Sequence, residues 1–530
     1  MKTTHFTCLI FSTLMVMGCS NDKAKEAVNL TQKVSPQQMQ GLWRSDGYHN
    51  LLEITDTDVR IFEVSDVHCL LVEEASIEEF VQEIPHLFSN KKRNRFATDP
   101  TLSAEAFHRY FYNRLADLPP SCIHGIVDET DDLLSNFSVF WNIFNEQYGF
   151  FELRSVNWQQ QYENNIDAVN EAQTPEELFS IMQSMIEEFN NDGHVSIEAE
   201  EDDWQAEADG TGPSELENRV WEKFQTSIAN ENLTETYQNL LATAKYQDRP
   251  EEDKFSNLDD YVENRAIEYW VNSIDNAENV IQSYMVNDEL TYAANEQLAW
   301  GTLKQHNIGY LNIAGLLEFV EISEEDELDL DEGTLTIDML IQRASQAMSL
   351  GLDAAMTDLT NTDAIIIDIR LNNGGIDALG LEIAGRFFDK ERLVFNKKAR
   401  NTAGFTQSLQ VSQAKTTATP YTKPIYLLTS SETLSAAETF ALAMRSLPYV
   451  KFVGEPSFGN LSDPLSATLP NGWEIELSNE VYGSPSNESF EGIGIPLDIP
   501  VDMSKSFLTP EDPDTQKDMA IEAVITDMNL

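Results

Sequence analysis

The chain has 530 residues, of which 41% are hydrophobic and 10% aromatic, so it can form the cores of about two or three domains. Its 90 acidic residues outnumber 34 Lys and Arg residues, which gives a formal net charge of −56. A surface this acidic repels nucleic acid and anionic lipid headgroups, so nucleic-acid binding is disfavoured. The charge fits either general solubility or a salty medium that screens self-repulsion.

The first 18 residues are a predicted targeting segment. The apolar run from Phe6 to Met17 is too short for a permanent membrane span. It leads into Val16-Met17-Gly18-Cys19-Ser20, which resembles the lipobox of bacterial lipoproteins. The resemblance implies cleavage before Cys19 and lipidation of its sulfur, whereas the alternative is an ordinary signal peptide with an incidental cysteine. We therefore expect a lipid-anchored protein of the bacterial cell envelope, facing the periplasm from the outer membrane, with residues 19–35 as a polar tether.

Residues 36–125 are predicted to form a small α+β domain. Leu51–Thr55 and Val59–Val64 alternate between apolar and polar residues, so they are expected to pair as a β-hairpin. The spacing of apolar residues predicts helices over 77–88 and 104–118.

The cysteines of the body lie in this same region. Cys8 leaves with the targeting segment and Cys19 is the expected lipid site, so Cys69 and Cys122 remain. Outside the cytosol these two can form a disulfide within one domain. The alternative is a pair of buried free thiols.

Residues 126–200 are predicted to be mainly helical. An aromatic stripe at helical spacing runs from Phe137 to Phe151, and a second helix is predicted from Pro175 to Phe189. Asp192-Gly193-His194 then forms a predicted turn before the strand Val195–Ile197. A lone histidine there is either a structural or exposed side chain or a functional group.

The remainder of the chain changes character twice. Residues 201–304 are predicted to be an acidic helical insertion without a glycine-rich peptide-binding signature. From 305 to 503, strand and helix patterns alternate, which predicts a largely parallel sheet with helices packed on it. The segment 504–530 is predicted to end in a helix.

Ser435 lies where a predicted strand turns into a predicted helix. The apolar run Pro424–Leu428 reads as a buried strand, and apolar residues from Ala436 to Met444 recur at helical spacing. The first N–H groups and the dipole of that helix favour negative charge near the Ser435 hydroxyl. The alternative is structural, because Ser435-Ala-Ala-Glu438 also matches a helix-capping box.

Leu371-Asn-Asn-Gly374-Gly375 is a glycine-rich turn between a predicted strand and a predicted helix. It matches neither phosphate-binding glycine pattern, so a phosphate loop is disfavoured. Backbone N–H groups held open by glycine can form half of an oxyanion hole. The alternative is a plain turn.

Several motifs occur in one fixed order: Val139–Trp158, Asp192–His194, Ala364–Gly375, Ser435–Glu438, Val453–Gly459 and Glu491–Asp498. Together they resemble the serine peptidase family that includes C-terminal-processing (tail-specific) proteases, the tricorn protease core and the interphotoreceptor retinoid-binding protein. The resemblance covers Asp131 to the end, apart from the insertion. It implies an α/β fold, in which a crotonase-like, tail-specific-protease core of βα repeats follows an N-terminal helical part. The helical insertion and the small β-rich N-terminal domain are added to this fold by the sequence patterns described above.

The resemblance also implies roles for individual residues. Ser435 would be the nucleophile, and its oxyanion hole would combine the N–H of Ala436 with one from Gly374 or Gly375. Glu438, in the same motif as the nucleophile, is expected to be a supporting residue.

The expected base depends on the branch of the family. The C-terminal-processing branch uses a lysine in Phe-Gly-Lys, but this chain has Asn460 at that position. The tricorn-like branch uses a histidine and a glutamate, for which His194 and Glu491 occupy the matching positions. That branch has a serine before the histidine, where this chain has a glycine, and Asp192 is the expected substitute.

We therefore expect a serine-type peptidase of the cell envelope that acts on short or unfolded peptides, without a cofactor or metal ion. The alternative is a non-catalytic, peptide- or ligand-binding lipoprotein that keeps the fold, as the change from lysine to Asn460 would allow. Tail-cutting relatives carry a PDZ-type domain where this chain has its acidic insertion. Recognition of a substrate's C-terminal carboxylate is therefore not expected.

Overall fold

The computed structural model describes residues 32–83, 87–90, 92–98, 110–199, 204–208, 215–247, 254–323, 326, 328, 330, 335–503, 508 and 517–528. The predicted targeting segment, the lipid site Cys19 and most of the predicted tether lie outside these residues.

The described residues form both helices and strands. The α-helices are α1 Ile77–Glu83, α2 Ser121–His124, α3 Leu133–Gln147, α4 Trp158–Glu171, α5 Pro175–Ile186, α6 Glu215–Ile228, α7 Leu233–Leu241, α8 Ala244–Gln247, α9 Leu258–Tyr284, α10 Ile337–Leu359, α11 Asp377–Ala384, α12 Ala436–Arg445 and α13 Met519–Asp527. The strands are β1 Gln32–Val34, β2 Gly41–Ser45, β3 Asn50–Ile54, β4 Asp58–Val64, β5 Cys69–Ser76, β6 Leu87–Ser89, β7 Arg95–Thr98, β8 Phe111–Leu115, β9 Ser196–Ala199, β10 Trp204–Glu207, β11 Thr291–Ala293, β12 Leu298–Thr302, β13 Ile308–Ile313, β14 Ala364–Asp368, β15 Arg392–Asn401, β16 Gly404–Phe405, β17 Leu409–Gln413, β18 Ile425–Thr429, β19 Val450–Gly454, β20 Pro464–Thr468, β21 Glu474–Ser478, β22 Glu480–Gly483 and β23 Ile499–Pro500.

The N-terminal part is an antiparallel sheet in the order β1-β6-β7-β8-β2-β3-β4-β5. The hairpin expected from the alternating pattern is formed by β3 and β4. Trp43 lies fully buried in the core of this sheet and stacks edge-on against Phe96. Burial of the apolar residues on one face of this sheet therefore stabilises the N-terminal domain.

Three expectations for this region need correction. Residues 32–34 of the predicted tether form β1, because Val34 is buried when the strand pairs with β6. The helix predicted over 77–88 ends at Glu83, and Leu87–Ser89 is a strand. Phe111–Leu115 is also a strand and not a helix, because alternate tyrosines, Tyr110 and Tyr112, point into the core.

Cys69 and Cys122 form a disulfide in the structure, with their Cα atoms 4.8 Å apart. The bond links the start of β5 to α2, the helix that follows β8 in the chain. Of the two alternatives left by the sequence, the paired one is therefore present. A disulfide of this kind is typical of proteins outside the reducing cytosol.

The predicted helical part is formed by α3, α4 and α5, and the aromatic stripe is its core. Phe137, Phe140 and Phe144 on α3 are fully buried with Trp158 and Phe189. This core is closed by a second sheet in the order β10-β9-β21-β20. Because β9 pairs with β21, the segment just after His194 lies against a strand from the C-terminal part of the chain.

The central sheet has the order β11-β12-β13-β14-β18-β19-β23. Its strands from β13 onward are parallel, as the alternating pattern predicted. Residues 291–302, assigned from the sequence to the insertion, form β11 and β12 and extend this sheet as an antiparallel edge. Since β14 and β18 are parallel neighbours, the segments that follow them meet at one edge of the sheet.

The described part of the insertion contains helices α6 to α9. Leu216 and Val220 of α6 are buried against Tyr310 and Met503 of the α/β core. The main-chain N–H of Leu216 also donates to the Ser431 hydroxyl, 3.1 Å away, in the turn before Ser435. The insertion is thus packed onto the turn that carries Ser435.

No helix among the described residues is long and apolar enough to cross a membrane.

Buried carboxylates join the N-terminal sheet to the rest of the protein. The N–H of Asp66 donates to Glu146 Oε1 at 2.8 Å, and the N–H of Thr468 donates to Glu63 Oε2 at 2.9 Å. Burial raises the pKa of Glu146 to about 7, and its Oε2 has no hydrogen-bond partner among the described residues.

Glu146→Gln is predicted to stabilise the protein at pH 8. The folded-state pKa of Glu146 is raised, so stability that is present at low pH is lost as the pH rises from about 4.5 to about 7. Glutamine keeps the Oε1 acceptor and carries no charge, so the variant should gain about 1–3 kcal/mol over wild type at pH 8 and much less at pH 5.

Urea midpoints at both pH values measure this difference. Glu171→Gln, at an exposed position of α4, is the control and should change neither midpoint. Equal effects of the Glu146 variant at pH 5 and pH 8 would contradict the burial argument.

Candidate active site

Ser435 occupies a strained turn at the start of α12. Its φ is +55° and its ψ −127°, a conformation that few residues other than glycine adopt. Its side chain makes no capping hydrogen bond, so the capping interpretation of Ser435 is wrong. The partly exposed hydroxyl is instead held at the end of β18, as in a strand-to-helix nucleophile turn.

Gly374 packs directly against this turn. A Cβ on Gly374 would lie 2.8 Å from Ser435 Cβ and 3.0 Å from the main-chain N of Ala436, and the φ of Gly374 is +103°. Only glycine fits this position without displacing the nucleophile.

Two backbone N–H groups beside Ser435 have no acceptor among the described residues, those of Ala436 and Gly375. The N–H of Gly374 is engaged, because it donates to Asn372 Oδ1 at 2.9 Å. Of the two glycines named from the sequence, Gly375 is therefore the one with a free donor. Free N–H groups at a helix start can stabilise a developing oxyanion.

Glu438 binds the loop that flanks the nucleophile. Its carboxylate accepts hydrogen bonds from the Ser457 hydroxyl and from the N–H groups of Gly459 and Asn460, at 2.6–2.8 Å. Burial raises the pKa of Glu438 to about 7, although these donors oppose the shift. Glu438 thus fixes the loop that carries Asn460, whose carbonyl accepts from the N–H of Ser435 at 3.1 Å.

His194 is partly buried, and its main-chain N–H donates to Asp192 Oδ1 at 3.3 Å. Burial lowers the pKa of His194 below its ordinary value, and nearby carboxylates, first that of Asp192, oppose this shift. Its Nδ1 has no hydrogen-bond partner among the described residues, and no hydrogen bond joins it to Ser435 there. Catalytic hydrogen bonds often close only when substrate is bound.

Asp192 is a fully buried anchor for the turn that carries His194. Tyr148 and Ser478 donate their hydroxyls to its two oxygens, each at 2.6 Å. Because Ser478 belongs to β21, Asp192 attaches this turn to the C-terminal part of the chain.

Glu491 does not contact His194 in the described structure. Its Oε2 accepts from the N–H groups of Leu461 and Ser462, at 2.9 and 3.2 Å, and its Oε1 lies 3.4 Å from Arg154 Nη2. Burial raises the pKa of Glu491 well above its ordinary value, which the guanidinium of Arg154 opposes. The expected direct support of the imidazole by Glu491 is therefore replaced by support of the adjacent loop.

Arg154 is the central residue that the sequence pattern missed. Its guanidinium is buried and donates to Asn460 Oδ1 at 3.0 Å and to the carbonyl of Asn190 at 3.3 Å. It also lies 3.7 Å from Asp192. Arg154 thus links the His194 turn, Glu491 and the loop beside Ser435.

The lysines near the core are paired with acids. Lys451 lies half-exposed on β19 and binds Asp527 of α13, at 2.6 Å. Lys397 is buried on β15, 2.7 Å from Glu480. Burial opposes its charge, but Glu480 and Asp463 raise the pKa of Lys397 above its ordinary value. Neither lysine is suited to accept a proton from Ser435.

Family comparisons agree with this geometry. Residues 331–501 match the model of peptidase family S41, and residues 131–187 match that of the tricorn protease C1 domain. The matched region resembles an S41 peptidase domain. That domain contains Ser435, Gly375 and Glu491, and the C1 match covers the helical part before His194. The resemblance drawn from the sequence motifs is confirmed.

Curated relatives match part of this chain. A carboxy-terminal-processing protease of Bartonella bacilliformis is 30% identical over 178 residues, which is 32% of this chain and 39% of the relative. A carboxyl-terminal-processing protease of Picosynechococcus is 27% identical over 171 residues, again 32% and 39%. The chain therefore spans about two fifths of the length of these relatives.

A solved structure supports the fold over a longer stretch. A candidate peptidase from Parabacteroides merdae is 21% identical, covers 76% of this chain and 98% of its own chain, and has a TM-score of 0.51. The α/β fold expected from the sequence is confirmed. No group of three or more His, Cys, Asp and Glu side chains in the described ranges is arranged to hold a metal ion.

Gly374→Ala is predicted to inactivate the site without unfolding the protein. The new Cβ would meet Ser435 and Ala436 at 2.8–3.0 Å, and a displacement of about 1 Å at a nucleophile costs about 100-fold in rate. The rate of labelling by a small fluorophosphonate measures the loss.

Gly472→Ala is the matched control for backbone strain. Gly472 has a φ of +87° and nothing within 4 Å of an added Cβ. Gly472→Ala should lose about 1 kcal/mol of stability from backbone strain alone, and Gly374→Ala should lose more because of its close contacts, but only Gly374→Ala should lose labelling. Similar losses of labelling in both would show that steric contact with Ser435 is unimportant.

Proposed function

We propose that the protein is a serine-type peptidase that cleaves peptide bonds through an acyl-enzyme. One observation carries this proposal: Ser435 lies at positive φ at the start of a helix in the region matched to family S41, and the N–H groups of Ala436 and Gly375 have no acceptor among the described residues. A strained, partly exposed serine near free backbone donors is an arrangement suited to acyl transfer.

The proposed reaction has two stages. The Oγ of Ser435 attacks the substrate carbonyl carbon while His194 accepts the hydroxyl proton. The oxyanion of the tetrahedral intermediate is bound by the N–H groups of Ala436 and Gly375. His194 gives its proton to the leaving amine, and a water activated by the same imidazole then hydrolyses the ester and regenerates Ser435.

The acids act around this reaction by holding the loops. Asp192 fixes the turn of His194, and Glu491 fixes the loop that follows Asn460. Arg154 keeps the two carboxylates together and compensates their buried charge. We infer that Glu491 orients His194 only indirectly, through Arg154 and Asp192.

The proposed substrates are short or unfolded peptides. The names of two curated relatives refer to processing of carboxyl termini. In this chain the described insertion is helical and packs on the nucleophile turn through Leu216 and Ser431. An unfolded segment can enter beside these helices more easily than a folded domain.

Ser435→Ala is predicted to abolish covalent labelling by a fluorophosphonate, and His194→Ala to slow it by about 1,000-fold or more. Because burial lowers the pKa of His194, the wild-type labelling rate should rise with pH at values below about 6.5 and be flat at neutral pH. Mass spectrometry of the labelled peptide and a pH series provide the measurement.

Other results would point elsewhere. Full labelling of His194→Ala, or a rate that still rises above about pH 9, would mean that the base is another group, such as a lysine. A folded wild-type protein that binds peptides but is labelled by no fluorophosphonate of any size would favour the non-catalytic binding alternative.

We further propose that Cys19 is lipidated and anchors the protein in the envelope. A single changed atom tests this, because Cys19→Ser removes the sulfur that accepts the lipid. The variant should be lost from the membrane fraction and should not incorporate an alkyne-labelled fatty acid. Cys8→Ser, within the predicted targeting segment, is the control and should leave both unchanged. Membrane attachment of the Cys19 variant would contradict the proposal.

A further inference from the structure

Asn460 is a buried amide beside the nucleophile with one unused donor. The residue is 1% exposed, and its Nδ2 has no hydrogen-bond partner among the described residues. A buried amide nitrogen without an acceptor is unfavourable, so such groups are usually satisfied by protein, water or ligand.

The orientation of this amide is fixed by Arg154. Oδ1 of Asn460 accepts a hydrogen bond from Arg154 Nη2 at 3.0 Å. A guanidinium only donates, so the oxygen must face Arg154 and the NH₂ group must be the end left unpaired.

The main chain of Asn460 makes one hydrogen bond to Glu438 and one to Ser435. Its N–H donates to Glu438 Oε2 at 2.7 Å, and its carbonyl accepts from the N–H of Ser435 at 3.1 Å. The unused donor therefore belongs to a residue whose main chain is hydrogen-bonded directly to Ser435 and cannot move away without breaking these bonds.

An unpaired buried amide alone does not indicate a site. Asn50 in the N-terminal sheet also has an unpartnered Nδ2 and is similarly buried. Asn460 differs because its neighbours are Ser435, Glu438 and Arg154, where a substrate must bind if the protein is a peptidase.

We propose that Nδ2 of Asn460 donates a hydrogen bond to a main-chain carbonyl oxygen of the peptide substrate, next to the bond that is cleaved. The inference rests on the proposed peptidase function and adds a substrate-binding contact to it. Extended peptides present such carbonyls on both sides of the scissile bond, and a neutral amide can bind them without a charge. Asn460 therefore selects a peptide backbone and leaves proton transfer to His194.

Two variants and two probes test this contact. Asn460→Asp keeps the oxygen for Arg154 but replaces the donor by an acceptor, and Asn460→Ala removes the amide. The probes are fluorescein-labelled casein, which is an unfolded polypeptide, and a small fluorophosphonate, which has no peptide backbone. Asn50→Asp makes the same chemical change far from Ser435 and is the matched control.

The expected result is a larger loss with casein than with the fluorophosphonate. The ratio of casein cleavage at subsaturating substrate to labelling rate should fall roughly 10-fold in Asn460→Ala and further in Asn460→Asp. Asn50→Asp should match wild type with both probes. If thermal unfolding shows that Asn460→Asp is misfolded, Asn460→Ala decides by the same two measurements.

Two results would overturn the inference. Unchanged casein cleavage in the variants would mean that the donor meets only water. Equal losses with both probes would mean that Asn460 acts on Ser435 and not on the substrate. Failure of the proposed function is distinct from both, because then wild type itself would be neither labelled nor active on casein.

Discussion

The buried carboxylate of Glu438 is the interaction on which the site depends. Ser435 is held in a backbone conformation that costs about 1–3 kcal/mol, and such strain persists only where its surroundings over-determine it. Glu438 supplies this constraint, because it binds the 457–460 loop and that loop in turn accepts the N–H of Ser435. Gly374 closes the opposite side. Ser435 is therefore fixed between two loops that follow different strands of one sheet.

A second constraint is the burial of several acids in one small region. Asp192 and Glu491 are almost fully buried, and two carboxylates in a low-dielectric interior repel each other unless a cation separates them. Arg154 is that cation. Its position explains why asparagine at 460 is compatible with the site: a lysine there would place a second positive charge beside the guanidinium, whereas the amide oxygen accepts its hydrogen bond.

Local patterns predicted the parts of the molecule that local chemistry determines. The sequence predicted the strand–turn–helix around Ser435, the glycine turn and the aromatic core of α3. Hydrophobic periodicity indicates helices and strands, and glycine indicates turns, without knowledge of distant contacts. The role of Arg154 could not be predicted from the sequence, because the residue lies in an irregular segment and acts through contacts with residues that are distant in the chain. The helix predicted over 104–118 is wrong in its described part, from residue 110 onward, because pairing of β8 within a sheet overrides a weak helical pattern. Residues 104–109 lie outside the described residues.

The pairing of β9 with β21 has a consequence for when the candidate site can assemble during synthesis. These strands lie roughly half the chain apart, so a growing polypeptide that already contains His194 has nothing to pair with the strand after it. Asp192 likewise awaits Ser478, and Glu491 is synthesised later still. A ribosome-bound chain that ends before Glu491 therefore lacks an assembled site. The topology delays assembly of the site until the residues up to Glu491 have been made.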